Sequence, residues 1–289
     1  GDWVAFTREP GDGPAMIHAV LPRRSKFSRK EPGPGHTGEQ VIAANIDSVF
    51  LVTALDRDFN VRRLERYLVL IRESGASPVV VLSKADLCDV ATVAARTAAV
   101  ESIAPGVPVH AVSNLTGDGL SSLSAHLAPG RTVALVGSSG AGKSTLANRM
   151  LGVNLQATGE VRRDDSRGRH TTSYSRLICL PSGALLVDNP GLREVQLWAS
   201  CDGLDNAFED IEALARGCRF SDCRHESEPG CAVKQALEDG VLDPGRYESY
   251  LRLRREVEFL NRKENLDSYL AAKRRQKALS KAIKSLQKH

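Results

Sequence analysis

The chain lacks several features that would place it in a special class. None of its apolar runs approaches the roughly 18 residues that a membrane-spanning helix needs, and no charged segment leads into an apolar stretch as in a secretory signal. No internal repeat is present. The formal net charge of +4 is too small to indicate nucleic-acid binding by itself. We therefore expect a soluble, cytoplasmic, monomeric protein with no membrane partner.

Three regions of different pattern follow one another along the 289 residues. Residues 1–44 hold short β-like runs between Gly/Pro turns, as in a small β-barrel, and the chain opens inside a predicted strand, so we expect the first strands to be missing. Residues 45–200 alternate apolar strands with helical patterns, which is typical of a mostly parallel sheet covered by helices. Residues 201–289 show only helical patterns. The sequence predicts a multidomain α/β protein with these three domains.

Within the middle region, the apolar patterns give definite elements. We predict strands over residues 49–53, 79–82, 107–112, 133–136 and 184–187. Helices are predicted over residues 61–74, 90–103 and 120–127, and a further helix from about Lys143. In the last region, helices are predicted over residues 247–260 and 266–286.

A glycine-rich loop connects the predicted strand ending at Val136 to the helix near Lys143. It matches the G-x-x-x-x-G-K-S/T phosphate loop, in which backbone N–H groups surround the phosphates. Lys143 would reach the β- and γ-phosphates and Ser144 would bind Mg²⁺. A chance turn is the alternative, which the strand–loop–helix context disfavours. The predicted nucleotide-binding residues here are Gly137, Ser138, Ser139, Gly140, Ala141, Gly142, Lys143, Ser144 and Thr145.

The base-reading residues are predicted at the end of an earlier strand. Ser83, Lys84, Ala85 and Asp86 resemble the N-K-x-D motif of GTPases. A carboxylate at Asp86 can accept from both N1–H and the exocyclic amine of guanine, whereas adenine would leave it unpaired. The alternative is an ordinary exposed Lys and Asp. Because Ser83 replaces the usual Asn, an amide that normally braces the loops is lost, and we expect weaker binding with unchanged base choice.

A second loop supports guanine as the base. Ser113, Asn114 and Leu115 follow the next predicted strand and resemble the loop whose backbone contacts the same base. This match makes it less favoured that Lys84 and Asp86 are an ordinary exposed Lys and Asp.

The segment after the strand at residues 184–187 has the form D-x-x-G. Asp188 would hold Mg²⁺ through water, and the Gly191 amide would sense the γ-phosphate; a simple Asn-Pro-Gly turn is the alternative. Leu192 stands where many GTPases place a water-orienting Gln, so we expect slow intrinsic hydrolysis.

A polar stretch between the phosphate loop and D-x-x-G is the predicted switch. In it, Thr171 or Thr172 is the candidate that closes on Mg²⁺, and His170 is the candidate that positions water. A surface histidine in a loop is the alternative for His170.

Three thiols and one imidazole lie close together in the last region. They supply four ligands for a tetrahedral zinc ion and leave no open position, so the predicted role is structural. Reduced buried cysteines with an incidental histidine are the alternative. The predicted zinc ligands are Cys218, Cys223, His225 and Cys231, in a reducing compartment.

The base motif precedes the phosphate loop, the reverse of the order in Ras-like GTPases, so the domain is predicted to be circularly permuted. The chain is similar to the ribosome small subunit-dependent GTPase A family (RsgA, also YjeQ). The resemblance rests on the permuted order, residues 21–25, 168–172 and 188–191, and the Cys/His spacing. It implies an N-terminal OB-fold, a central permuted GTPase and a C-terminal zinc domain. It further implies action late in assembly of the small ribosomal subunit, which stimulates hydrolysis.

Two basic clusters flank the predicted GTPase domain, and solvated charge is the alternative reading of each. On an OB-type barrel and a helical tail, both suit binding to an RNA backbone. The candidate RNA-binding residues are Arg23, Arg24, Lys26, Arg29, Lys273, Arg274 and Arg275.

The sequence therefore predicts an rRNA-binding GTPase with GTP or GDP, Mg²⁺ and one structural Zn²⁺. A non-enzymatic GTP-sensing RNA-binding protein is the first alternative, suggested by Leu192. An ATP-using enzyme is the second, suggested only by the phosphate loop.

Overall fold

The computed structural model describes residues 1–8, 14–30, 39–152, 176–188, 201–226, 228–259 and 262. The chain divides into two compact units, residues 1–27 with 41–196 and residues 28–40 with 197–289, and each is described by itself. Within the described ranges, none of the helices combines the length and apolar character that a bilayer crossing requires.

A six-stranded sheet forms the centre of the first unit. Its strands are β5 (Ser48–Ala54), β6 (Ser77–Ser83), β7 (Val109–Ala111), β8 (Thr132–Val136), β9 (Arg176–Cys179) and β10 (Leu185–Asp188). Their order is β7-β6-β5-β8-β10-β9, and every neighbouring pair is parallel except β9 with β10. The predicted, mostly parallel sheet is confirmed, and β9 is a strand that the sequence reading missed.

Helices connect these strands where the patterns predict them. The first is α1 (Val61–Glu73), whose N-terminus is capped by the Asn60 side chain, and the second is α2 (Val90–Ile103), capped by Asp89. The third, α3 (Lys143–Leu151), begins directly after the glycine-rich loop. The predicted helix at residues 120–127 is a 3₁₀ helix over Leu120–His126, and another 3₁₀ turn covers Ala85–Leu87.

Both faces of the sheet are buried, as alternate residues of β5 show. Val49 and Leu51 belong to one apolar cluster, whereas Phe50 and Val52 belong to another, and all four are fully buried. Such burial on both faces is expected of parallel strands covered by helices. It explains why four consecutive residues of β5, 49–52, are apolar.

The N-terminal strands form two separate pairs. β1 (Val4–Arg8) pairs antiparallel with β2 (Ala15–Val20), and β3 (Lys26–Lys30) pairs with β4 (Glu39–Ala44). The sequence reading did not predict β3, because its basic residues lie in a Pro/Gly-rich segment. Phe27 is buried in the same cluster as Val49. An OB-type barrel and the proposed domain bounds stay predictions.

The elements described between residues 201 and 259 of the second unit are helices, and the sequence predicts helical structure in this region. They are α4 (Cys201–Ala207), α5 (Glu209–Ala215), α6 (Ala232–Glu238) and α7 (residues 244–259). Arg246 on α7 is buried, donates to both Asp210 carboxylate oxygens at 2.6 Å, and lies 4.5 Å from the Phe208 ring centroid. This charge-assisted contact fastens α7 to α5. The predicted helix at residues 266–286 lies outside the described residues.

Candidate nucleotide and metal sites

The loops that carry the predicted nucleotide-binding motifs meet at one edge of the sheet. β5, β6, β7 and β8 run parallel, so the segments that leave their carboxyl ends lie side by side. Open α/β sheets bind ligands in this position. The base motif, the loop after β7 and the phosphate loop are therefore neighbours although they are distant in sequence.

The phosphate loop has the backbone conformation that its motif requires. Gly137 adopts a φ of 138°, and a Cβ at this position would lie 2.0 Å from the Val52 carbonyl oxygen, so only glycine fits. Lys143, which is 8% exposed, donates from Nζ to the Gly137 carbonyl at 2.7 Å and to the Ser138 carbonyl. The ammonium group is thus held inside the loop at the start of α3, where helix N–H groups favour anions.

A carboxylate after β5 also holds the phosphate loop. Ser138 Oγ donates to Asp58 Oδ2 at 2.5 Å, and Arg63 donates to Asp58 Oδ1 at 2.8 Å. The hydrogen bond from Ser138 is the main factor that keeps the pKa of Asp58 below its usual value. The sequence reading missed Asp58, although its place four residues after the end of a central parallel strand puts it near the ligand-binding edge.

The base motif is organised around a left-handed residue. Lys84 has a φ of 60°, and its Nζ donates to Asp56 Oδ2 at 2.8 Å. Asp86 is exposed, and its Oδ1 accepts from Ser113 Oγ at 2.5 Å. The Ala85 N–H donates to the Val112 carbonyl at 3.1 Å, which joins the motif to the end of β7. The structure therefore brings the two predicted guanine-reading segments together.

Two side chains connect the base-reading loops to the phosphate loop. Ser83 Oγ donates to the Ala141 carbonyl at 2.6 Å, and Asn114 Nδ2 donates to the Gly142 carbonyl at 3.3 Å. The weaker binding expected from serine at position 83 stays a prediction, and the structure shows that the loops are braced in another way. A hydroxyl reaches one loop carbonyl, and an amide from a different loop reaches the next.

The D-x-x-G segment is described only at its start. Asp188 ends β10, which runs parallel to β8 and so places this residue at the same sheet edge as Gly137. The Asp188 side chain, Gly191 and Leu192 lie outside the described residues, as do His170, Thr171 and Thr172. The roles predicted for them stay predictions. Ser144 is exposed at the start of α3, next to Thr145.

The predicted metal cluster is assembled in the second unit. The four candidate ligand atoms of Cys218, Cys223, His225 and Cys231 all lie within 4.8 Å of one another. Cys218 Sγ lies 3.9 Å from Cys231 Sγ and 3.6 Å from His225 Nδ1. A tetrahedral zinc ion with Zn–S of ~2.3 Å and Zn–N of ~2.0 Å separates such atoms by about 3.8 and 3.5 Å. The residues therefore fit a closed four-ligand metal site.

The surroundings of this cluster hold its ligands in place. His225 adopts a φ of 62°, is 6% exposed, and its carbonyl accepts from the Tyr247 hydroxyl at 3.1 Å. Cys231 caps α6 through a contact from the Lys234 N–H. The cluster is thus tied to both α6 and α7.

Three of the predicted RNA-binding residues are placed on the surface. Arg23, Arg24 and Lys26 are exposed, and Arg23 forms an ion pair with Asp2 at 2.6 Å. The Arg29 side chain and residues Lys273, Arg274 and Arg275 lie outside the described residues. The RNA-binding role of these residues stays a prediction.

Comparison with known proteins gives one consistent family. The family model described as RsgA GTPase matches residues 20–198. A protein of Methanosarcina acetivorans called small ribosomal subunit biogenesis GTPase RsgA is 46% identical over 288 residues, which cover 100% of this chain and 77% of that protein. A protein of the same name from Opitutus terrae is 52% identical over 272 residues, covering 91% of this chain and 73% of that protein.

Solved structures agree with the sequence matches. The crystal structure of YjeQ from Thermotoga maritima is similar with a TM-score of 0.66 and 28% identity, covering 89% of this chain and 83% of that one. The structure of YloQ, described as a circularly permuted GTPase, has a TM-score of 0.64 and 26% identity, covering 89% of this chain and 80% of that one.

Proposed function

The chain belongs to the RsgA GTPase family, and we propose that it hydrolyses GTP to GDP and phosphate during late maturation of the small ribosomal subunit. One observation carries this proposal. The phosphate loop and the guanine-reading pair Asp86 and Ser113 lie at one sheet edge, and Ser83 and Asn114 bond them to each other. A nucleotide that satisfies both loops must have a guanine base and a phosphate chain.

The chain's own residues bind and orient the nucleotide. Lys143 Nζ leaves the Gly137 and Ser138 carbonyls and donates to phosphate oxygens instead. Asp86 accepts hydrogen bonds from the guanine N1–H and exocyclic amine. We assign Ser144 and one of Thr171 and Thr172 to Mg²⁺, with Asp188 acting through water. When bound, Mg²⁺ would supply positive charge beside the phosphate oxygens on which negative charge develops. The Gly191 amide contacts the γ-phosphate and so distinguishes GTP from GDP.

Hydrolysis by the isolated chain should be slow. Leu192 is apolar and cannot orient water, so His170 is the candidate that positions the nucleophile when the chain is bound to the small subunit. We assign the rRNA contacts to the two basic clusters, and the metal in the Cys₃His cluster to structural Zn²⁺. A protein with this task acts in the cytoplasm, and we expect a monomer.

Steady-state GTP turnover, measured with and without purified small subunits, tests this function. Several turnovers per protein molecule, with a rate that rises steeply on addition of subunits, are expected. Stoichiometric GTP binding without turnover in both conditions would instead indicate the non-enzymatic sensor that Leu192 suggests. A tenfold excess of ATP that displaces labelled GTP would indicate an ATP-using enzyme.

A further inference from the structure

The base motif holds the phosphate loop with an unusually short side chain. Ser83 is fully buried at the end of β6, and its Oγ contacts the Ala141 carbonyl at 2.6 Å and the Thr53 carbonyl at 3.3 Å. A hydroxyl has one proton to donate, and an asparagine at the same position would have two. Ser83 therefore supplies one strong bond to the phosphate loop where the usual residue of the motif supplies an amide.

An amide reaches the same part of the phosphate loop from the loop after β7. Asn114 is 7% exposed, and its Nδ2 lies 3.3 Å from the Gly142 carbonyl, the carbonyl that follows the one held by Ser83. A Cβ on Gly142 would lie 3.1 Å from Asn114 Nδ2 and 3.6 Å from Ser83 Oγ. The two side chains thus pack against one glycine from two different loops.

The backbone of the loop after β7 is tied to α3 as well. Arg149 donates from Nε to the Asn114 carbonyl and from Nη2 to the Leu115 carbonyl, both at 2.8 Å. Since α3 begins directly after Gly142, the loop that reads the base is fixed to the phosphate loop and its helix at several points. The Asn114 side chain is the link closest to the phosphate loop.

Asn114 is poorly suited to a role in stability alone. Its Oδ1 is buried and has no hydrogen-bond partner among the described residues. A buried carbonyl oxygen without a hydrogen-bond partner destabilises the folded state. A serine at this position would leave no such group. The asparagine is therefore better explained by a role in holding the two loops in position for a ligand that contacts both.

We propose that Asn114 is a positioning residue for the nucleotide, which supplies the amide brace missing from the base motif at Ser83. The inference rests on the proposed function, because a guanine nucleotide contacts both loops at once. Loops that are held in register before binding lose less conformational entropy when the ligand bridges them. The amide that braces the phosphate loop is thus on the loop after β7 and not in the base motif.

An exchange of the two residues tests this idea. The proteins to compare are the wild type, Asn114→Ser, Ser83→Asn and the double variant, each titrated with fluorescent N-methylanthraniloyl-GDP and with its GTP counterpart. Asn114→Ser should lose about tenfold in affinity, since one net hydrogen bond contributes about that much. Ser83→Asn should also lose affinity, because a larger side chain at this fully buried position crowds Asn114 beside Gly142. The double variant restores one amide and one hydroxyl, and its affinity should return to within about threefold of the wild type.

The controls separate positioning from folding. The thermal midpoint of nucleotide-free Asn114→Ser should not fall, because its affinity loss comes from loop register. Asn148→Ser, on α3 and likewise with a buried unpaired amide atom, should bind GDP as the wild type does. If Asn114→Ser does not fold, Asn114→Asp turns the donor facing the Gly142 carbonyl into an acceptor and should weaken GDP binding further.

Two results would overturn the inference. The first is wild-type affinity in Asn114→Ser, and the second is a double variant whose loss equals the sum of the single losses. The wild type's preference for GDP over ADP is measured in the same titrations. If that preference is absent, the proposed function fails together with the inference. If it is present while the exchange does not restore affinity, only the inference fails.

Discussion

The Ser113 hydroxyl donates to the Asp86 carboxylate, with 2.5 Å between Oγ and Oδ1. Ser113 is 1% exposed, whereas Asp86 is exposed, so a fixed donor orients a carboxylate that a ligand can reach. The same Oγ accepts from the backbone N–H groups of Leu115 and Thr116. The orientation of Asp86 therefore depends on the whole loop after β7.

Base choice should change with one atom of Asp86. Asp86→Asn should lower GTP affinity by about 10² or more and raise affinity for xanthosine triphosphate, because the amide can donate to the xanthine C2 oxygen. Competition of both nucleotides against a labelled one measures the change. Asp118→Asn is the matched control, since Asp118 is an exposed carboxylate of the loop after β7 that bonds Thr116. Unchanged GTP preference in Asp86→Asn would refute the assignment.

The metal cluster should hold one zinc ion per chain and stabilise the second unit. Cys223→Ser removes one of four ligands, so the zinc content should fall and the thermal midpoint of that unit should drop by several degrees. Elemental analysis and calorimetry measure the two effects. Cys179→Ser, an exposed thiol outside the cluster, should change neither. A wild type that is metal-free and equally stable after treatment with a chelator would contradict the structural role.

The contact between Ser138 and Asp58 should appear in the titration of the carboxyl group. Ser138→Ala removes the main factor that lowers the pKa of Asp58, so this pKa should rise toward the usual value of about 3.9. A carboxyl group whose pKa is lower in the folded state than in the unfolded state stabilises the fold when the pH is above the unfolded-state pKa. This stabilisation disappears as the pH falls through the folded-state pKa. In Ser138→Ala, stability should therefore depend less on acid pH. Carbon-detected NMR of Asp58 and acid unfolding measure both effects, and an unchanged titration would show that the contact is weak.

Docking on the small subunit should depend on charge. Neutralising Arg23, Arg24, Lys26 and Arg29 together should weaken docking and raise the subunit concentration needed for half-maximal GTP turnover. Each lost phosphate contact should lower the slope of log affinity against log salt by about 0.7 to 0.9. Binding measured across several salt concentrations checks this slope. A slope equal to the wild-type value would exclude these residues as phosphate contacts.

His170→Ala should separate docking from hydrolysis. If His170 positions the nucleophile, the subunit-stimulated rate should fall by about 10² or more, while the subunit concentration for half-maximal activity stays unchanged. The measurement is GTP turnover against subunit concentration for wild type and variant. A full stimulated rate in His170→Ala would remove this residue from the catalytic site.

The sequence predicted the core of this fold because buried parallel strands are continuous apolar runs. The helix over Val61–Glu73 and the strand over Ser48–Ala54 were found within one or two residues. The strand Lys26–Lys30 was missed because charged residues surround the buried side chain of Phe27. A short strand rich in charged residues shows no apolar periodicity.

In the candidate site, too, some residues could be found from the sequence and others could not. Motif spacing identified Lys143 and Asp86, because phosphate and guanine impose fixed chemistry on neighbouring positions. It did not identify Asp58, nor the bond from Asn114 to Gly142. These contacts join loops that come together only through strand order. The amide that contacts the phosphate loop could not be found from Ser83 either, since it is in another loop.

The order of the strands gives the two halves of the nucleotide site different times of formation. β5, β6 and β7 are contiguous in sequence and pair with one another, whereas β8 joins the other side of β5 later in the chain. The Val52 carbonyl of β5 leaves no room for a side chain at Gly137, so the phosphate loop is fitted to a strand made much earlier. During synthesis from the N-terminus, the guanine-reading loops are made before the phosphate loop and α3. The two halves of the nucleotide site can therefore meet only after β8 and α3 have been synthesised.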